Sequence, residues 1–298
     1  MSLIAQALTG DANARALVLH IDDVAMCHGA NVAFLELARS HSVTCGSIMV
    51  PCPWFREIAN SAAGDPALDL GVHLTLTSEW PQYRWGPLST HSRASGLVDE
   101  HGYFPRNCLD LRARLNVEAA EIEFRAQIDR ALQAGIDVTH LDTHMGAALV
   151  PELVDIYARL GLEYRLPILL PREIDSYTGV LRMGEIAPGV YQRIVAQLEA
   201  RGLPVFDRFR MTPEPPGPDV ESTYRTMIEA LPAGATFFAL HCNAPGDIEV
   251  IVPSRAHWRT NEYHLFRSGA PMRWMAEAGV RPIGMREIRD LWRTAMPG

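Results

Sequence analysis

The chain has no CxxC pair, no basic stripe, and no apolar run approaching the roughly 20 residues needed to cross a bilayer. Each absence removes a class of protein. The five cysteines, Cys27, Cys45, Cys52, Cys108 and Cys242, are odd in number and lack metal-site or redox spacing. A reducing, cytoplasmic setting follows from that usage, because disulfide frameworks belong to oxidising compartments. Cys27 and Cys242 lie close to the polar segments discussed below, but small buried hydrophobe is the simpler role for each. The opening MSLIAQALTGDANA has no basic stretch followed by a long apolar core, so no secretory leader is expected. Lys plus Arg number 27 against 35 Asp plus Glu, a formal charge of −8. That balance disfavours a nucleic-acid partner, which needs cations to neutralise phosphates. Also missing are a GxSxG elbow, an HExxH helix and a glycine-rich phosphate loop.

What is present is an alternation of short apolar runs and longer amphipathic segments over 298 residues, 48% hydrophobic and 21% charged. Strands are expected at 16–21, 44–50, 68–74, 137–141, 162–166, 203–206, 236–240 and 280–283. Helical patterns fall at 30–40, 54–62, 117–134, 151–160, 190–201, 220–230, 263–278 and 285–293. Gly135, Gly161, Gly202 and Gly279 stand between a helix and a strand, where a left-handed cap is needed. Pro151 suits a first helical turn. Repeated βα units of this number predict an α/β fold in one domain, a closed or nearly closed (β/α) barrel of seven or eight parallel strands, complete and eightfold or distorted and seven-stranded.

Residues 75–116 break the rhythm, a connection long enough to be functional or disordered. Trp80, Tyr83, Trp85, Tyr103 and Phe104 argue against disorder. Leaving the strand that ends near His73, this insertion would overhang the strand ends. Its rings could be a wall for a sugar or a small satellite core. The proline-rich stretch 211–218 is expected to be a rigid surface loop.

Four strand ends gather carboxylates and imidazoles: Asp22-Asp23, His73 in GVHLTLT, His140-x-Asp142-x-His144, and His241 in TFFALHCN. These are ligands for hard or borderline divalent cations, and barrel chemistry sits at C-terminal strand ends. Each has a plainer reading. The aspartate pair could cap the following helix, and each histidine could be a hydrogen-bonded core residue. If the strand persists, His140, Asp142 and His144 share a face, and a carboxylate there can orient a metal-bound imidazole from behind.

The order of Asp-Asp before a Gly-x-Asn helix, GVHLTLT, THLDTH and a closing GVRPIGMREIRDL resembles the YdjC-like carbohydrate deacetylase family, from about Leu17 to Leu291. That family is related to chitooligosaccharide deacetylases and to NodB-type polysaccharide deacetylases. The resemblance implies a divalent metal, Mg²⁺ in the first instance with Zn²⁺ or Mn²⁺ as alternatives, held by Asp23, His73 and His144. It implies Asp22 as catalytic base. His140 and Asp142 would stand behind the ligands, and His241 would protonate the leaving amine. Trp80, Trp85 and Asn243 would contact the sugar. The expected partner is a small carbohydrate, with no nucleic acid and no membrane, and a homodimer is left open. Departures exist: Val24-Ala25 follow the aspartates where the family has Phe or Leu and then Gly, Met145-Gly146-Ala147 replace a histidine-rich run, and His241 is separated from Pro245-Gly246. Competing readings are a hydrolase of phosphate esters or cyclic amides with further metal ligands, and a non-catalytic carbohydrate-binding protein.

Overall fold

The computed structural model of the chain describes residues 2–174, 181, 183–213 and 219–295. Among the described residues seven parallel strands form: β1 (Arg15–Val24), β2 (Cys45–Ile48), β3 (Leu70–Leu74), β4 (Val138–Thr143), β5 (Arg208–Met211), β6 (Gly234–Leu240) and β7 (Val280–Pro282). They make one sheet in the order β4-β3-β2-β1-β6-β5, with β7 joined to β1. The first residues of β1 pair with β7, its last with β2, and Arg15–Ile21 pair with β6. Parallel neighbours require long crossovers, and the amphipathic segments supply them as helices. Residues 167–172 extend the hydrogen bonding beyond β4. Leu141 N–H donates to the Pro167 carbonyl (2.9 Å), Leu169 N–H to that of Leu141 (3.0 Å), and Arg172 N–H to that of Phe206 (3.0 Å), just before β5.

Side-chain alternation then sorts each strand into two faces. Leu17, Leu19 and Ile21 of β1, Leu70 and Val72 of β3, and Phe238 and Leu240 of β6 join the main core beneath the helices. Ala16 and Val18 point the other way and share a second buried cluster with Phe209, Phe237, Ile283 and Met285. Further along the same inward positions, the residues turn polar: His20, Ser47, His73, His140 and Asp142, all essentially inaccessible. Buried polar groups need partners, and at the strand ends they find one another.

Several expectations change. The predicted strand at 162–166 is instead the last residues of the helix Val154–Glu163 and the turn that follows it; that helix begins past Pro151 and continues through Gly161. A Cβ at Gly161 would lie 2.4 Å from Ile168 Cγ2, so that glycine serves close packing rather than a cap. Arg165 makes the left-handed turn instead, at φ 54°, and pairing resumes at Ile168 opposite Leu141. The strand predicted at 203–206 forms later, as β5, because pairing with β6 sets Arg208 opposite Thr236. The predicted helix 263–278 is two helices, Ala256–Arg267 and Ala270–Ala278, broken at Gly269 ahead of Pro271. Residues 75–116 hold only a turn at Arg93–Ser95 and the short helix Cys108–Arg112. Of the proline-rich stretch, residues 214–218 lie outside the described residues. All five cysteines are free and buried. Among the described residues no helix is long and apolar enough to cross a membrane.

Candidate functional site

Strand register assembles the site. His73 of β3 sits opposite Asp142 of β4, and Ile21 opposite Leu240, so Asp22 and His241 leave neighbouring strands at one level. The end of β1 then turns sharply, with Asp23 at φ 62° and Ala25 at φ 75°. Left-handed backbone costs an ordinary L residue about 1–2 kcal/mol. It is held by Ala25 N–H donating to Asn31 Oδ1 (2.8 Å) and by Met26 N–H donating to the Asp23 carbonyl (3.1 Å). Through this turn both carboxylates reach the same region, Asp22 with its side chain 15% exposed and Asp23 buried. Ala25 occupies the position where the resembling family has glycine. Ala25→Gly should therefore keep or raise the melting temperature although it removes a buried methyl; a clear drop would show the turn carries little strain.

Asp23, His73 and His144 present donor atoms within 4.8 Å of one another. Asp23 Oδ1 lies 3.1 Å from His144 Nδ1 and 3.5 Å from His73 Nε2, while Oδ2 accepts from Arg259 at 2.8 Å. Each imidazole has a carboxylate at its other nitrogen. His73 Nδ1 is 2.9 Å from Asp142 Oδ1, and His144 Nε2 is 3.0 Å from Glu79 Oε2. Ser47 donates to Asp142 Oδ2 at 2.8 Å. A carboxylate behind an imidazole fixes the ring and raises its basicity, the usual setting of a metal-bound histidine.

The charges point the same way. Asp22, Asp23, Glu79 and Asp142 converge here, with Arg259 paired to Asp23. Burial alone would push the Asp23 carboxyl up, but Arg259, His144 and His73 outweigh it and hold it well below the usual range. Burial would likewise lower the imidazoles. Asp142 reverses this for His73, which stands well above its ordinary value, and Glu79 with Asp23 raises His144 to about 9. A locus that makes two buried imidazoles hold protons is one that favours positive charge. Two nitrogens and one oxygen suit a divalent cation of the Zn²⁺, Mn²⁺ or water-rich Mg²⁺ kind, so the residues present fit such an ion. Binding must then displace imidazole protons. Calorimetry near pH 7 in buffers of different ionisation enthalpy should show net proton release, and none would mean that neither histidine is a ligand.

His241 is placed differently. Its Nδ1 lies 2.8 Å from Thr212 Oγ1, and the Thr212 hydroxyl donates to Glu262 Oε1 at 2.6 Å. Since that hydroxyl has one proton, His241 Nδ1 is the donor to Thr212. Glu262 is buried and also accepts from the His241 backbone N–H (2.7 Å) and from the Tyr224 hydroxyl. His241 Nε2 faces Asp22 Oδ2 at 3.8 Å, with the side chain 20% exposed.

Other expected residues are not all at the opening. His140 touches neither Asp23, His73 nor His144; its Nε2 is 3.0 Å from His20 Nε2, and burial together with His20 holds it down at about 3. Asn243 is fully buried with its amide 3.2 Å from Cys27 Sγ, so it is packing material under the strand end and not a sugar contact. Trp85 is buried, its Nε1–H donates to the Thr77 carbonyl, and its ring meets His144 edge to face at 5.9 Å. It supports the site from below rather than offering a face to a sugar. Trp80 is half-buried. The sequence reading missed His20, Ser47, Glu79, Thr212, Arg259 and Glu262. His20 and Ser47 were findable from alternation with known inward positions. Arg259 and Glu262 share one face of the helix Ala256–Arg267, but nothing local ties that face to Asp23 or His241.

The profile of the YdjC-like protein family matches residues 16–277. A protein of Thermus thermophilus named carbohydrate deacetylase is 32% identical over 281 residues, covering 93% of this chain and 94% of that one. A carbohydrate deacetylase of Brevibacillus brevis is 32% identical over 155 residues, covering 52% of this chain and 59% of its own. Among solved structures, an Enterococcus faecalis V583 protein named as a proposed cellobiose-phosphate cleavage protein superimposes with a TM-score of 0.74, over 92% of this chain and 99% of that chain. At 20% identity that likeness speaks to the fold alone.

Proposed function

The chain belongs to the YdjC-like family, and from that membership and the site geometry we propose that it is a metal-dependent hydrolase removing N-acetyl groups from amino-sugar oligosaccharides. One observation carries the reading: beside the Asp23–His73–His144 cluster stands a further carboxylate, Asp22, with one oxygen on His20 and the other 3.8 Å from His241 Nε2. The name of the Thermus thermophilus relative supports the substrate class.

A divalent cation held by Asp23, His73 and His144, Mg²⁺ by our first choice, would polarise the amide carbonyl and make water more acidic. Asp22 takes the proton from the attacking water. His241 gives a proton to the departing amine from Nε2, its ring held by Thr212 and Glu262 through Nδ1. Asp142 and Glu79 keep His73 and His144 in orientation. Arg259 neutralises one oxygen of Asp23, leaving the other turned to the two imidazoles. A phosphate ester is a poorer fit, because Arg259, the cation at this locus among the described residues, is already paired with Asp23. We also infer a single catalytic domain with residues 75–116 as its insertion, acting in the cytoplasm on a soluble sugar.

The test is acetate release from N-acetylglucosamine oligomers with Mg²⁺, Mn²⁺ or Zn²⁺ and after chelation. We expect turnover that chelation abolishes and added metal restores. No acetate from any oligomer, or turnover indifferent to chelation, would overturn the reading. For the two tryptophans the expected outcomes diverge. Trp80→Ala should raise KM with little change in melting temperature, whereas Trp85→Ala should chiefly lower stability, by about 3–5 kcal/mol for a buried Trp. Equal effects on both quantities in both variants would remove the distinction.

A further inference from the structure

Beneath the metal-ligand cluster lies a line of buried polar groups that the proposed chemistry does not use. His20, inward from β1 and wholly inaccessible, rests on Phe237 with ring centroids 4.7 Å apart. Its Nδ1 is 2.7 Å from Asp22 Oδ1, and its Nε2 is 3.0 Å from His140 Nε2. His140 Nδ1 is 2.9 Å from Thr139 Oγ1, which is 2.6 Å from Asp69 Oδ1. Asp69 Oδ2 accepts the Arg286 backbone N–H at 2.7 Å. Hydrogen bonds thus run without a gap from Asp22 to the residue just before β3.

Proton counting decides what this line does at its upper end. Two imidazole nitrogens facing each other can share only one proton, and Thr139 has one to give. In one arrangement Asp69 keeps its carboxyl proton and donates to Thr139, Thr139 to His140 Nδ1, and His140 Nε2–H to His20 Nε2. In the other, Asp69 is ionised and accepts from Thr139, Thr139 accepts from His140 Nδ1–H, and His140 Nε2 accepts from His20 Nε2–H. Burial raises the Asp69 carboxyl from its ordinary value while the Arg286 N–H and the Thr139 hydroxyl pull it back, and the chain of contacts is the same in either arrangement. In both, the 2.7 Å contact needs a proton between the two atoms, and His20 Nδ1 donates it because an ionised carboxylate only accepts. In the second arrangement His20 is therefore an imidazolium, with Asp142 Oδ2 3.5 Å from its Nε2.

Asp22 needs such a restraint. It lies within 4.8 Å of the donor atoms of His73 and Asp142, close enough to be drawn in as a further ligand, and it borders the left-handed turn at Asp23. We propose that His20 is a positioning residue for Asp22: its Nδ1–H occupies Oδ1 and so leaves Oδ2, the oxygen facing His241, to act as base. The proposal rests on Asp22 being the base of the hydrolysis proposed above.

Two substitutions separate the two ends of the ring. In His20→Asn the side-chain amide nitrogen stands where Nδ1 was, keeping the donor to Asp22 and losing the contact with His140. In His20→Gln it stands where Nε2 was, keeping His140 and releasing Asp22. We expect His20→Gln to lower kcat about 10²-fold, the scale for a misplaced catalytic group, with KM within about threefold and metal affinity not weakened. His20→Asn should keep kcat within about threefold of wild type, even with a lower melting temperature. A role in folding alone predicts that kcat follows melting temperature in both variants, and that result, or an unchanged kcat in His20→Gln, overturns the proposal. NMR of isotope-labelled histidines gives a readout free of turnover. The wild-type protein should show a protonated, hydrogen-bonded Nδ1 that vanishes in His20→Gln and moves upfield in Asp22→Asn. A resonance indifferent to Asp22→Asn overturns the proposal. If the wild type releases no acetate, the hydrolase reading falls, and the resonance still reports whether His20 holds Asp22.

Discussion

Asp22→Asn should lower kcat for acetate release by about 10²–10⁴-fold, the usual contribution of a general base, while the fold and the metal affinity survive. The asparagine oxygen can still accept from His20 Nδ1, now at 2.7 Å from Asp22 Oδ1, so the side chain keeps its place. What is lost is the second oxygen, the one 3.8 Å from His241 Nε2, replaced by an amide nitrogen that cannot take a proton. Neither Asp23, His73 nor His144 loses a contact. The loss should therefore fall on kcat and kcat/KM together, as when an interaction made only in the transition state is removed. Near-native turnover would place the base elsewhere. Asp142, an alternative on sequence grounds, is a poor substitute, being buried with one oxygen on His73 and the other accepting from Ser47.

The second large effect is expected on metal binding. Changing a residue behind a metal ligand costs about 10–100-fold in affinity, and that is the range for Glu79→Gln. Removing a ligand outright, in His73→Ala or His144→Ala, should exceed it, with folding retained because both hydrophobic clusters are built from other residues, although the Trp85 ring loses its edge contact in His144→Ala. Undiminished binding in both variants would show the ligand assignment to be wrong. The pH dependence has opposite signs with and without metal. In the metal-free protein the His144 pKa is raised to about 9 by Glu79 and Asp23 against the opposing pull of burial. The stability this pair of contacts contributes is complete below the unfolded pKa of about 6.5 and is lost as pH rises through about 9. The melting temperature of metal-free wild type relative to His144→Ala should fall across that window. Metal affinity should rise across it, because the ion competes with a proton for the same imidazole.

How much of this was legible before folding depends on the range of the interaction. Period-two alternation and apolar runs are local, so β1, β3, β4 and β6 were placed within a few residues, and the polar residues at their ends were marked out as a group. The strands at 162–166 and 203–206 were misplaced because their limits are set by partners. Gly161 is packed by Ile168, and the edge of β6 fixes where β5 begins. Asp22, Asp23, His73, His144 and His241 could be named in advance since each ends a strand, and parallel strands send their ends to one side. Which of them touch was decided only in the tertiary structure. Glu79 reaches His144 across 65 residues, and Arg259 reaches Asp23 across 236. His20 meets His140 across 120 because sheet register stacks their inward positions. A carboxylate on an irregular segment or an arginine on an outer helix carries no periodic signal of its target. Its partner is chosen by the cost of leaving a buried charge unpaired, and that cost exists only once the chain has closed around it.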